Sequence, residues 1–93
     1  MAMDIEFDPE KNAANLAKHG VSLAHGVKVF EDAAHLILSS ARAVDGEDRQ
    51  KVIGDVEGRL WTAVYVMRGP VARFISVRKS NGKEAEYYNS DPG

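Results

Sequence analysis

Three runs rich in β-branched and aromatic residues, Gln50 to Glu57, Leu60 to Met67 and Val71 to Arg78, follow one another with two or three residues between them. Between strands, gaps that short permit only antiparallel pairing, because a parallel return needs a crossover of about a dozen residues. The second half of the chain is therefore expected to be an antiparallel meander. Gly58-Arg59 reads as a two-residue turn with glycine first, and Arg68-Gly69-Pro70 as a three-residue loop. That register sets Glu57 against Leu60, Val52 against Tyr65, Met67 against Val71, and Tyr65 against Arg73.

Side chains alternate between faces along a strand. One expected face holds Val52, Gly54, Val56, Trp61, Ala63, Tyr65, Met67, Val71, Ile75 and Val77, with Arg73 as its one charge. It reads as the core face. The other holds Arg49, Lys51, Asp55, Thr62, Ser76 and Arg78 among Ile53, Leu60, Val64, Val66 and Phe74. A surface both basic and apolar suits contact with a polyanion or a protein. The same register sets Arg78 near Leu60 and Arg49 near Arg68, at opposite ends of the sheet.

Upstream, Ile5 and Phe7 mark a short first strand. Asp8-Pro9-Glu10 reads as a helix start: a capping carboxylate, a proline suited to the first helical position, and an acid facing the positive helix end. This helix is expected to run to His19 and stop at Gly20. Its inward side reads as Ala13, Leu16 and Ala17, and its outward side as a stripe of Lys11, Asn15 and Lys18, usually a solvated face. Ser22 caps a second expected helix, Leu23 to Phe30, with Leu23, Val27 and Phe30 at helical spacing. Gly26 inside it costs about 1 kcal/mol relative to alanine, and close packing would account for it. His35 to Ser40 reads as a strand, Ala41 to Asp48 as a polar loop, Gly82 to Asn89 as a short helix, and 89–93 as a frayed tail. The expected fold is α+β, a single domain over 1–93. Two N-terminal helices pack on one face of an antiparallel sheet, with a short C-terminal helix.

The chain has 93 residues and no cysteine, so neither a disulfide framework nor a zinc-thiolate site is possible. Three scattered histidines do not make a metal site, and no metal or cofactor is expected. No stretch approaches the ~20 apolar residues of a membrane span, and the N-terminus lacks a secretory pattern. The expected address is cytoplasmic. The formal net charge of -2 argues against a protein that coats nucleic acid non-specifically. It leaves room for a locally basic site, and basic residues are dense from Arg68 to Lys83.

Several of these landmarks, taken in order, resemble the BrnT toxin family. They are Phe7-Asp8, Lys11, Asn15 and Lys18-His19-Gly20-Val21 near the start, then Gly46-Glu47, Arg49 and Gly54. Arg73, Ile75-Ser76, Arg78-Lys79, Glu84 and Tyr88 close the set. The resemblance implies a RelE-like fold whose sheet uses the face away from the helices for RNA. It implies a metal-independent endoribonuclease toxin of a type II toxin–antitoxin system that inhibits translation and growth. It also implies a BrnA-type antitoxin that neutralises the toxin and binds operator DNA. Ser80-Asn81-Gly82-Lys83 departs from the family's pattern, in which further arginines follow Arg78-Lys79. The competing expectation is a non-catalytic module that binds an antitoxin and assists repression.

Metal-free RNA cleavage uses the neighbouring 2′-hydroxyl as nucleophile and needs cations at the phosphate and an acid/base group. Arg49 and Arg78 are the cation candidates, since a guanidinium fork matches phosphate oxygens; solvated strand-end arginines are the alternative. Glu47 is a candidate base or the partner of a nearby arginine. His19 is suited to proton transfer near neutrality, or caps carbonyls at a helix end. Lys18, Lys51 and Lys79 are candidate RNA contacts. Tyr88 is a base-stacking candidate or a docked tail aromatic.

Overall fold

The computed structural model describes residues 4–40 and 49–90. The expected meander is present: β3 (Arg49–Val56), β4 (Arg59–Arg68) and β5 (Val71–Lys79) pair antiparallel in sequence order. β2 (Leu36–Ser40) adds antiparallel to β3, and β1 (Ile5–Glu6) adds parallel to β5. The sheet order is β1-β5-β4-β3-β2. The helices are α1 (Pro9–His19), α2 (Gly26–Glu31), entered through a 3-10 turn at Leu23–His25, and α3 (Gly82–Ser90). Of the expected frayed tail, residues 89 and 90 belong to α3, and 91–93 lie outside the described residues. The expected loop at 41–48 also lies outside them.

The register differs from the expected one at both turns. The first hairpin closes through Glu57-Gly58, with Val56 opposite Arg59 and Val52 opposite Ala63. Both turn residues have positive φ, 54° and 85°, as the twist of a tight hairpin favours, so glycine is second rather than first. The faces of β3 and β4 are unchanged by this slip. The second turn is Gly69-Pro70, with Arg68 opposite Val71. That shorter loop turns residues 71–74 over relative to expectation. Phe74 thereby joins the core cluster with Leu23, Val29 and Tyr65, while Arg73 pairs with Glu6 at 3.4 Å. A bulge then resets the strand: Tyr65 faces Phe74, Val64 faces Ser76, and Ile75 is the extra residue. Beyond it Val77 is buried in the core, as expected.

Asp8 caps α1 by accepting from the Glu10 amide at 2.9 Å, and the Gly20 N–H closes it on the Leu16 carbonyl at 2.9 Å. The helix is nonetheless rotated relative to its amphipathic reading. Ala13 and Ala17 are exposed and Leu16 is 54% exposed, while Asn15 is buried. β1 pairs only Ala72 and Arg73, so the backbone of Val77 needs another partner. Asn15 supplies it. Its Oδ1 accepts from the Val77 amide at 3.0 Å and its Nδ2 donates to the Val77 carbonyl at 2.9 Å and the Val21 carbonyl at 2.8 Å. Asn12 accepts from the Leu23 amide at 2.7 Å. The asparagine side of α1 thus faces inward because it completes the edge of β5.

α2 crosses β3 and β4 at backbone contact. A Cβ at Gly54 would collide with the Val29 carbonyl oxygen, and one at Gly26 would stand 3.1 Å from the Phe74 ring. Close packing is therefore the reason for both glycines. α3 packs against β3, and its Glu84 bonds Lys51, Thr62 and Arg78. These three lie on the sheet face that was expected to be open. Ile53 and Val66 on that face are buried, so it is not a bare apolar surface.

Candidate functional site

Lys18 and His19 follow Asn15 by three and four residues, and Arg78 and Lys79 follow Val77 by one and two. The bonds from Asn15 to Val77 therefore bring the last turn of α1 beside the end of β5. Lys18, His19, Arg78 and Lys79 line one pocket there, with a volume of about 250 Å³. An adjoining groove of similar volume shares Lys18 and His19 and adds Lys11, Ala14, Asn15, Ile75 and Ser76. The result is two neighbouring hollows that share Lys18 and His19 beside the end of β5. The carbonyl end of α1 favours positive charge at this point.

Arg78 is held in place by a buried carboxylate. Its Nη1 and Nη2 donate to the two oxygens of Glu84 at 2.7 and 2.8 Å, and Nη1 also reaches the Lys79 carbonyl at 3.3 Å. Glu84, 1% exposed, further accepts from Lys51 Nζ, Thr62 Oγ1 and the Asn81 amide, each at 3.0 Å. Asn81 in turn accepts from the Glu84 amide at 2.8 Å, which closes a reciprocal cap at the start of α3. Burial works to raise the Glu84 carboxyl. The bonds from Arg78, Asn81 and Lys51 and the charge of Arg78 outweigh it and bring the group down to about 2. The hydrogen bond to Glu84 raises Arg78 against the opposing effect of burial. A carboxylate this acidic is a poor proton acceptor near neutrality. What it does is fix the guanidinium fork.

The remaining candidates stand elsewhere. Arg49 opens β3 opposite Val66, whereas Arg78 is opposite Thr62. They share a face, four ladder positions or ~13 Å apart along the strands and two strands across. That is closer than the expected opposite ends, but Arg49 does not line the pocket. Lys51 is engaged with Glu84. The Tyr88 hydroxyl donates to Asp32 Oδ2 at 2.6 Å. That bond, with burial and the charges of Asp32 and Asp55, pushes Tyr88 up to about 12. Asp32 also accepts from the Asp55 and Ala34 amides at 2.8 and 3.0 Å, so it ties the end of α3 to α2 and β3. Burial works to raise Asp32, and these bonds bring it below its ordinary value. Glu47 lies outside the described residues.

Two residues that build the site, Asn15 and Glu84, enter the sequence reading only as family landmarks. Asn15 also falls in an expected solvated stripe. The part played by Glu84 is signalled locally by Asn81, three residues earlier, at capping-box spacing. Among the described residues, no group of His, Asp and Glu could hold a metal ion, and no helix is long and apolar enough to cross a membrane. A family model described as "Ribonuclease toxin, BrnT, of type II toxin-antitoxin system" matches residues 7–84. No curated protein matches the chain.

Proposed function

The chain belongs to the BrnT family, the ribonuclease toxins of type II toxin–antitoxin systems, and from that premise we propose that RNA is cleaved in the pocket of Lys18, His19, Arg78 and Lys79. The supporting observation is the convergence of these four side chains, from two elements distant in sequence, on one pocket. Lys18 and Lys79 neutralise the phosphates on either side of the scissile one. Arg78 uses Nε–H and its remaining Nη2–H on the scissile phosphate, the other donors being engaged by Glu84 and the Lys79 carbonyl. Charge builds on the phosphate oxygens as the 2′-oxygen bonds to phosphorus, and a fixed guanidinium stabilises that charge without reorganising. The phosphorus–5′-oxygen bond then breaks, leaving a 2′,3′-cyclic phosphate. His19 donates the proton that the 5′-oxygen takes up, and the proton of the 2′-hydroxyl passes to solvent water. No step requires a metal.

Arg49 holds RNA backbone along the same face, while Lys51 and Tyr88 serve to dock α3. The fold is proposed to be RelE-like and the protein cytoplasmic. The antitoxin that the family implies is proposed to be of BrnA type and to carry the complex onto operator DNA. A second reading draws on the grip of Glu84 on Arg78, which suits an interaction module without catalysis. Incubating the purified chain with labelled RNA in EDTA separates the two. The ribonuclease reading expects fragments ending in 2′,3′-cyclic phosphate, lost in His19→Ala and Arg78→Ala at equal fold. Intact RNA, together with normal growth when the chain is expressed alone, would overturn it.

A further inference from the structure

A second cleft opens at the β3–β4 hairpin, lined by His25, Val56, Glu57, Arg59 and Trp61, with a volume of about 270 Å³. Trp61 stands directly opposite Lys79 on the β4–β5 ladder. The backbone of Trp61, one wall of the cleft, is therefore one strand spacing, about 4.8 Å, from that of Lys79 of the cationic pocket. The two sites differ in kind. The side chains lining the cationic pocket are three cations and an imidazole, the set a phosphate requires. The hairpin cleft has an aromatic and aliphatic wall, a guanidinium, a carboxylate and an imidazole. A carboxylate repels phosphate but accepts from the N–H groups of a base edge, and an apolar wall suits the flat body of a base. The His25 ring stands edge-on to Trp61, with centroids 4.7 Å apart. Its Nε2 is buried with no hydrogen-bond partner among the described residues, where buried polar atoms are ordinarily satisfied.

We propose that this cleft binds a nucleobase of the RNA next to the cleaved phosphodiester and so sets sequence preference, a proposal that rests on the ribonuclease reading of the cationic pocket. The base lies against Val56 and the small part of Trp61, 8% exposed, that lines the cleft. The Glu57 carboxylate accepts from its Watson–Crick N–H groups, and Arg59 donates to its ring and carbonyl acceptors. Guanine matches this set best. It offers two adjacent N–H donors to one carboxylate and the O6/N7 pair to an arginine. Uracil offers one donor and is the weakest match.

Trp61 is the only tryptophan of the chain, so its emission reports on the cleft. Glu57 and Arg59 are exposed hairpin residues, so their substitution leaves the core intact. The probes are short 2′-O-methyl oligonucleotides of each base, which cannot be cleaved, added to the full chain. Binding is followed separately by anisotropy of an end label. The expected result is a saturable change in Trp61 emission, strongest for guanine. Arg59→Ala and Glu57→Gln should each weaken guanine binding by about tenfold, within the range a lost base contact costs. On cleavable RNA the same variants should shift the relative rates at guanine and uracil sites.

Cleavage with Trp61 silent, and with both variants matching the wild type, would overturn the subsite while leaving the ribonuclease reading standing. A Trp61 response that Arg59→Ala weakens, with no cleavage at all, would uphold the base site and remove the ribonuclease reading. Failure of every oligonucleotide to bind, with cleavable RNA left intact as well, would overturn both.

Discussion

Replacing Glu84 with glutamine removes one charge from a buried network and keeps its shape. In the wild type the carboxylate takes the fork of Arg78 at 2.7 and 2.8 Å, with Lys51, Thr62 and the Asn81 amide at 3.0 Å. Glutamine keeps one acceptor oxygen but turns an NH₂ toward one of the two cations, leaving it buried against a donor. Removing one partner of a buried ion pair costs about 3–5 kcal/mol. Linkage provides an independent figure. A carboxyl that titrates near 4.5 ordinarily and at about 2 in the fold contributes about 3 kcal/mol at neutral pH. The two routes agree on about 3–4 kcal/mol, a substantial part of the roughly 5–15 kcal/mol that holds a domain together. For a chain of this length that loss lowers Tm by about 15–25 °C.

The sign of the pH dependence follows from the depressed carboxyl. Its contribution is complete above about 4.5 and is lost as pH falls from there toward about 2. Urea unfolding followed by Trp61 emission, from pH 7 down to pH 2.5, should show wild type and Glu84→Gln converging in that window. Groups common to both chains, such as Asp32, cancel in the difference. Glu86→Gln, at an exposed position of the same helix, should match the wild type. A loss below about 1 kcal/mol at pH 7, or a difference independent of pH, would refute the assignment of Glu84 as a buried, ionised clamp.

Asn15→Ala should cost about 2–4 kcal/mol, because the Val77 amide and carbonyl both lose their partner at a buried edge; denaturant midpoints at constant m-value test this. Gly54→Ala should destabilise by about 1–3 kcal/mol, because α2 must lift off β3 to clear the Val29 carbonyl. Thermal unfolding against a Gly82→Ala control, where a Cβ meets nothing, measures that difference.

The elements were legible because their signals are local. The Asp8 cap, the Gly20 stop and the three β-rich runs each lie within a few residues of what they determine. Register was less so. Val56 and Arg59 pair because Glu57 accepts a positive φ, and composition points to glycine for that position first. One residue fewer in the Gly69-Pro70 turn moved Phe74 from the expected open face into the core, and the bulge at Ile75 hid the slip beyond it. The rotation of α1 escapes amphipathic reasoning, which sends amides to water. Asn15 is inward because β1 is too short to cover β5, which only the assembled sheet reveals. His19 and Arg78 were both legible as candidates. Their meeting depends on contacts 62 residues apart in sequence between Asn15 and Val77.

One carboxamide therefore has two responsibilities that genetics would ordinarily assign to different residues. A selection for cells that survive expression of this chain should recover changes at Asn15 alongside changes at His19 and Arg78. Such a hit would look like a missing reactive group, since the cells survive in either case. It would instead be a hinge pin drawn from between a helix and a strand. Separating the two classes takes overexpression at low temperature: a chain that lacks only the pin regains its pocket whenever the edge closes, and a chain that lacks His19 or Arg78 does not.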